Sequence, residues 1–198
     1  MKKAAAILLA ISVLFLVGCS DSDGDVKKPK ETAVTVTSGD CFEINKLHGE
    51  DGNEKFSYTV KTHDGKVIES AVCANEPKVK PLNDDLLGVR FYTATDSFVR
   101  YYDIKGGRVS ASYFGAFWDN GELLAYNDFE ASGKLIVRDI FDDNGYRYEK
   151  EITSDSLTLI VTKAEPTDDG ETLVVKFKLG DHGAEKNVRL PLVDKSSD

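Results

Sequence analysis

The sequence lacks the short motifs that mark the common hydrolytic enzymes. It contains no Gly-x-Ser-x-Gly, no Ser-x-x-Lys and no His-Glu-x-x-His, the arrangements that place a serine nucleophile or a catalytic zinc ion. Adjacent carboxylates do occur, at Asp84-Asp85, Asp142-Asp143 and Asp168-Asp169. They stand in turn-like or polar stretches, and a sequence cannot show whether two carboxylates face each other across a cleft. No catalytic residue is therefore predicted.

Basic residues and histidines are also scarce. Lysine and arginine number 25 against 34 acidic residues, which leaves a net charge of −9. This excess argues against nucleic acid as a partner, because such proteins need basic patches. The three histidines, His48, His63 and His182, each lie in a stretch rich in Gly and Asp. Since no two of them have the spacing of metal ligands, no metal and no cofactor is predicted.

No apolar run is long enough to span a bilayer comfortably. The longest, residues 4–17, follows Lys2 and Lys3 and is shorter than the roughly 20 residues of a spanning helix. A basic start, a short apolar centre and small residues at its end are typical of a secretory signal peptide. The segment ends in Leu16-Val17-Gly18-Cys19, which resembles the lipobox of bacterial lipoproteins.

This resemblance implies that residues 1–18 are a signal peptide that is removed, and that the Cys19 thiol carries a lipid. In enterobacterial lipoproteins an Asp directly after the lipidated Cys favours the inner membrane. Ser20 stands there, so the resemblance implies the outer membrane, facing the periplasm. An inner-membrane or Gram-positive surface location stays open. Residues 19–32 are almost wholly polar and are predicted to form a disordered tether of about 40–45 Å when extended.

With Cys19 assigned to the lipid, two cysteines remain for the domain, Cys41 and Cys73. In an exported domain, two cysteines are expected to form one disulfide. Such a disulfide would leave no thiol for a cysteine nucleophile. On the first and third strands of one sheet they would lie about 9–10 Å apart, so one would have to stand past a strand end.

Residues 33–198 are predicted to form a single all-β domain. Alternating apolar and polar residues flank Gly-containing turns near Gly65, Gly106, Gly145 and Gly183, and another apolar segment precedes each hairpin. The spacing of roughly 40 residues suggests about four repeats of an antiparallel meander, as in a small propeller or propeller-like fold. A β-sandwich or barrel is the alternative. Several strands are apolar on both faces, which favours sheets stacked face to face.

Aromatic residues concentrate in the middle of the chain. Most are expected in the core, but Phe117 and Trp118 stand just before the Asn120-Gly121 turn, where side chains often reach solvent. They are the candidate platform for a sugar ring or a peptide. The resulting hypothesis is a lipid-anchored envelope protein that binds or scaffolds a protein or glycan partner. The alternative is an envelope hydrolase directed at glycan or peptide, with a carboxylate or His site not visible in the sequence.

Overall fold

The computed structural model describes residues 32–48, 52–128, 133–152 and 158–193. All of them belong to one compact unit, Glu31–Asp198. Every regular element in these ranges is a strand, and the sixteen strands form four antiparallel sheets. The predicted all-β, antiparallel class is therefore confirmed. No helix in the described part of the chain has the length and apolarity that a membrane crossing requires. The predicted signal peptide, Cys19 and residues 19–31 of the predicted tether lie outside the described residues.

Each sheet is built from strands that follow one another in the chain. Sheet 1 has the order β1-β2-β3-β4 and sheet 2 the order β5-β6-β7-β8, with β9 also paired to β7. The strands of sheet 1 are β1 (Thr32–Gly39), β2 (Phe42–His48), β3 (Glu54–Lys61) and β4 (Val67–Cys73). Those of sheet 2 are β5 (Lys78–Asn83), β6 (Leu86–Tyr92), β7 (Ser97–Asp103), β8 (Arg108–Val109) and β9 (Tyr113–Phe114).

The second half of the domain repeats this local pairing. Sheet 3 has the order β10-β11-β12-β13 and sheet 4 the order β14-β15-β16. The strands of sheet 3 are β10 (Ala116–Asp119), β11 (Leu123–Asp128), β12 (Lys134–Asp139) and β13 (Arg147–Glu151). Those of sheet 4 are β14 (Leu159–Pro166), β15 (Thr172–Leu179) and β16 (Lys186–Pro191). The four predicted hairpins are all present, as β3–β4, β7–β8, β12–β13 and β15–β16.

The core lies between successive sheets, in three clusters of buried side chains. One cluster joins sheets 1 and 2, one joins sheets 2 and 3, and one joins sheets 3 and 4. Strand β7 is apolar on both faces because each face packs against a different sheet. Val99 and Tyr101 pack toward sheet 3, whereas Tyr102 packs toward sheet 1, because successive side chains of a strand point to opposite faces.

The predicted Cys41–Cys73 disulfide is wrong: both residues are free thiols. The register of sheet 1 gives the reason. The Cys41 carbonyl accepts a hydrogen bond from the Lys61 amide, whereas Cys73 pairs with Phe56, at the other end of β3. That separation along the strand is about 17 Å at 3.4 Å per residue. A disulfide requires Cα atoms no more than about 7 Å apart.

Candidate functional site

A cleft of about 520 Å³ opens where sheet 2 meets sheet 3. We call it the aromatic cleft. The side chains that define it come from β9, β11, β12 and the turn before β7: Asp96, Tyr113, Phe114, Tyr126, Asn127, Asp128 and Arg138. Its volume falls in the range of sites that hold small ligands.

Aromatic rings form one wall of the aromatic cleft. Strand β9 turns Tyr113 into the core and leaves Phe114 about half exposed, at 45%. Tyr113 is fixed from two sides, because its ring centroid lies 5.6 Å from that of Tyr126 and its hydroxyl donates to the Ile140 carbonyl at 2.7 Å. Burial raises the pKa of this hydroxyl, so it stays a neutral donor. The wall is therefore rigid, with one ring open to solvent.

Arg138 places a positive charge next to these aromatic rings. The Arg138 guanidinium lies 5.8 Å from the Tyr113 ring centroid, within the range of a cation–π contact, and it pairs with Asp142. Burial acts to lower the pKa of Arg138, but the interactions with Asp142 and Tyr113 outweigh it and leave the pKa raised. Arg138 is therefore a permanent positive charge in a largely buried position.

Two buried polar atoms at the aromatic cleft have no hydrogen-bond partner among the described residues. They are Nε of Arg138 and Oδ1 of Asn127. An unsatisfied buried group costs about 1–3 kcal/mol, and native structures rarely keep one without a reason. Both residues line the aromatic cleft, so polar side chains lie next to its aromatic rings.

Carboxylates complete the lining of the aromatic cleft. Asp96 is held in its turn by its own amide, which donates to Thr93 Oγ1 at 2.9 Å, and its carboxylate accepts from Thr95 Oγ1 at 3.0 Å. Asp128 ends β11, opposite Lys134. The cleft thus combines aromatic faces, one guanidinium, one amide and two carboxylates, a set suited to a neutral ligand with many hydroxyl groups.

No protein-family model, curated protein or solved structure matches this chain. The chemistry of the cleft therefore carries the functional argument.

The residues predicted as an aromatic platform lie elsewhere. Phe117 and Trp118 belong to β10, where Trp118 pairs with Ala125. Both are half-buried and pack against the cluster between sheets 3 and 4. They do not line the aromatic cleft.

The histidines and carboxylates considered in the sequence are spread over the domain. His48 ends β2, His63 lies in the β3–β4 turn and His182 in the β15–β16 turn, and all three are exposed. Within the described ranges, no group of three His, Cys, Asp or Glu side chains could hold a metal ion. The Asp143 carboxylate accepts hydrogen bonds from both terminal guanidinium nitrogens of Arg108, at 2.8 and 3.1 Å. This carboxylate is therefore engaged in a surface ion pair.

Sequence reasoning missed Arg138, although a signal was present. The residue interrupts the apolar stretch of β12, where Leu135, Ile136 and Val137 are fully buried. An arginine inside a buried run is rare unless it is paired, and this exception indicates a special environment. Asn127 carries no comparable signal, because an Asn near a strand end is ordinary.

Proposed function

We propose that this protein is a lipid-anchored cell-envelope module that binds a glycan in the aromatic cleft. One observation carries the proposal. The exposed Phe114 ring stands in the same cleft as the polar side chains of Asp96, Asp128 and Arg138. A sugar ring has an apolar face that contacts an aromatic ring and hydroxyl groups that both donate and accept hydrogen bonds, so it matches both features.

The charge of the protein supports a neutral glycan over a polyanion. The chain has a net charge of −9, and Asp96 and Asp128 add negative charge to the lining of the cleft. Like charges placed together would oppose the binding of an acidic polymer. A neutral sugar meets no such cost, and its hydroxyl groups can donate to the two carboxylates.

The envelope location rests on the first nineteen residues. The proposed signal peptide, residues 1–18, and the proposed lipid on Cys19 follow from the resemblance to the lipobox. With Ser20 rather than Asp after the cysteine, we place the protein on the outer membrane, facing the periplasm. The polar tether would let the domain reach about 40–45 Å from the lipid headgroups, toward the cell-wall glycan.

The four sheets support a propeller-like arrangement of repeats, which we also propose. Each sheet is a meander of neighbouring strands, and sheets 1, 2 and 3 each share a core cluster with the sheet that follows. This is the packing expected of successive blades. The repeats differ in strand number, from three to five, so the stack is irregular. The aromatic cleft lies between the second and third repeats.

Co-sedimentation with purified peptidoglycan sacculi tests the glycan site. The wild-type protein should sediment with sacculi, and Phe114→Ala should weaken binding about 5- to 30-fold, because losing the ring contact costs about 1–2 kcal/mol. Tyr92→Ala is the matched control, since Tyr92 is an exposed aromatic on the same sheet and outside the cleft. Equal binding by wild type and both variants would place the contact elsewhere. Binding to isolated stem peptides, but not to glycan strands, would mean that the protein binds a peptide and not a sugar.

A further inference from the structure

Three reactive side chains meet where sheet 1 approaches the β5–β6 turn. Cys41 Sγ lies 3.5 Å from His63 Nδ1, and His63 Nε2 lies 2.9 Å from Asp85 Oδ1. The imidazole therefore stands between a thiol and a carboxylate, with one ring nitrogen toward each. None of the three residues lines the aromatic cleft.

Backbone hydrogen bonds hold each of the three residues in place. The Cys41 carbonyl accepts from the Lys61 amide at 2.8 Å. The turn that carries His63 is closed by the Thr62 amide, which donates to the Lys66 carbonyl at 2.9 Å. The Asp85 carbonyl accepts from the Ile104 amide at 2.8 Å. The arrangement thus rests on sheet ends and closed turns, which position a reactive group more precisely than a free loop does.

The order thiol, imidazole, carboxylate is the arrangement that activates a nucleophile. With its Nε2–H donating to Asp85, the imidazole presents an unprotonated Nδ1 to the thiol and can accept the thiol proton. The carboxylate then stabilises the imidazolium that forms. Cys41 needs such a base, because burial, and secondly Asp40, raise the pKa of its thiol. At neutral pH the resting thiol is therefore protonated.

We propose that Cys41 is a nucleophilic thiol that undergoes thiol–disulfide exchange, with His63 as its general base and Asp85 as the positioning residue. His63 Nδ1 removes the thiol proton while the sulfur attacks one sulfur atom of a disulfide, RS–SR. A bond forms between Cys41 Sγ and that sulfur, and the original S–S bond breaks. The leaving thiolate takes the proton from His63. The products are a mixed disulfide on Cys41 and one free thiol.

The surroundings favour a disulfide over an acyl substrate. Acyl transfer develops an oxyanion that needs hydrogen-bond donors aimed at it. The amides of Lys61, Thr62, Gly65 and Lys66 already donate to acceptors within the chain. Disulfide exchange places its developing charge on the leaving sulfur, which the His63 proton neutralises. Cys73 lies at the far end of β3, so the mixed disulfide persists until an external thiol reacts with it.

The rate of reaction with Ellman's reagent, an aromatic disulfide, tests this proposal. The full chain carries Cys19→Ser and Cys73→Ser, so that Cys41 is its sole thiol. The rate is measured as a function of pH and should already be appreciable at neutral pH, below the range in which the thiol ionises on its own. The charged groups around the pair are Asp40 beside the thiol, Asp85 at the ring, and Asp64 and Lys66 in the same turn.

Substitution of the base separates catalysis from mere exposure. His63→Ala should slow the reaction at pH 7 at least about tenfold and leave a rate that rises only at the higher pH where the thiol ionises by itself. Asp85→Asn should give an intermediate rate. His48→Ala, a histidine on the same sheet, should change nothing. Near-ultraviolet circular dichroism checks that each variant is folded. Either an unreactive Cys41 or a His63→Ala profile identical to that of its parent would overturn the proposal.

Discussion

At the scale of single residues, Glu69 shows how a charged group joins two sheets. It lies on β4 and accepts hydrogen bonds from Arg100 Nη1 at 2.6 Å, Tyr102 at 2.7 Å and Tyr58 at 2.9 Å. Arg100 and Tyr102 belong to β7, in the next sheet. Burial alone would raise the pKa of Glu69, but the three donors outweigh it and lower the pKa. Burial, with the nearby carboxylate, raises the pKa of Tyr58 to about 12.

Glu69→Gln should lower the free energy of unfolding by about 2 kcal/mol at pH 7, because hydrogen bonds to a charged group are the strong ones. A carboxylate with a lowered folded-state pKa stabilises the fold above its ordinary pKa of about 4.3. That contribution is lost as pH falls through the folded-state value. The difference between wild type and variant should therefore shrink in urea titrations below about pH 4.

Glu76→Gln is the control for this substitution. Because Glu76 is exposed, its replacement should leave the free energy of unfolding unchanged at both pH 7 and pH 3. A difference between wild type and Glu69→Gln that is the same at pH 7 and at pH 3 would show that the charge is not the cause.

The wrong disulfide prediction concealed a second arrangement of Cys41. Two cysteines in an exported chain favour a disulfide, and that prediction removed Cys41 from the candidate nucleophiles. The register of sheet 1 places Cys41 beside His63 instead. Cys41 and His63 are 22 residues apart in the chain, and so are His63 and Asp85. Pairing within sheet 1 brings Cys41 beside His63, and the β5–β6 turn of sheet 2 adds Asp85. No local sequence pattern reports these contacts.

At the scale of elements, the turns were predictable because their chemistry is local. Gly65 closes the β3–β4 hairpin with φ at 84°, a conformation that glycine adopts without steric cost. The segment from Val109 to Phe114 was less predictable. The Ser110 amide donates to the Tyr101 carbonyl, the Tyr101 amide donates to Ser110 Oγ, and the segment is divided into β8 and β9. This break places Tyr113 and Phe114 at the aromatic cleft.

Gly65→Ala should destabilise the domain by about 1–2 kcal/mol, because a Cβ disfavours the left-handed conformation. A Cβ built on Gly65 meets no atom within 4 Å, so the cost is that of the backbone alone. Gly65→Asn is the matched comparison. It should lose less stability than Gly65→Ala, since Asn tolerates this conformation. Chemical unfolding of both variants measures the difference. Equal losses for Ala and Asn would mean that the turn can relax its backbone.

At the scale of the whole molecule, sheets 2 and 3 are the buried layers. Each contributes side chains to two core clusters, as strands apolar on both faces predict. The contacts between neighbouring sheets were not predictable, because they join residues far apart in the chain. One example is Tyr113 of sheet 2, whose hydroxyl donates to the carbonyl of Ile140, just after β12 of sheet 3, at 2.7 Å.

The proposed lipid anchor can be tested by removing the thiol that would carry it. Cys19→Ser should move the protein from the membrane fraction to the soluble fraction, because two or more acyl chains make anchoring stable and the serine variant receives none. Cys73→Ser, which changes a cysteine of the domain, should stay with the membrane. Carbonate washing followed by immunoblotting measures both. The Cys19→Ser protein should still sediment with sacculi, since the aromatic cleft is untouched. Retention of that variant in washed membranes would mean that a lipid on Cys19 is not what holds the protein there, and the proposed anchor would be wrong while the glycan site stood.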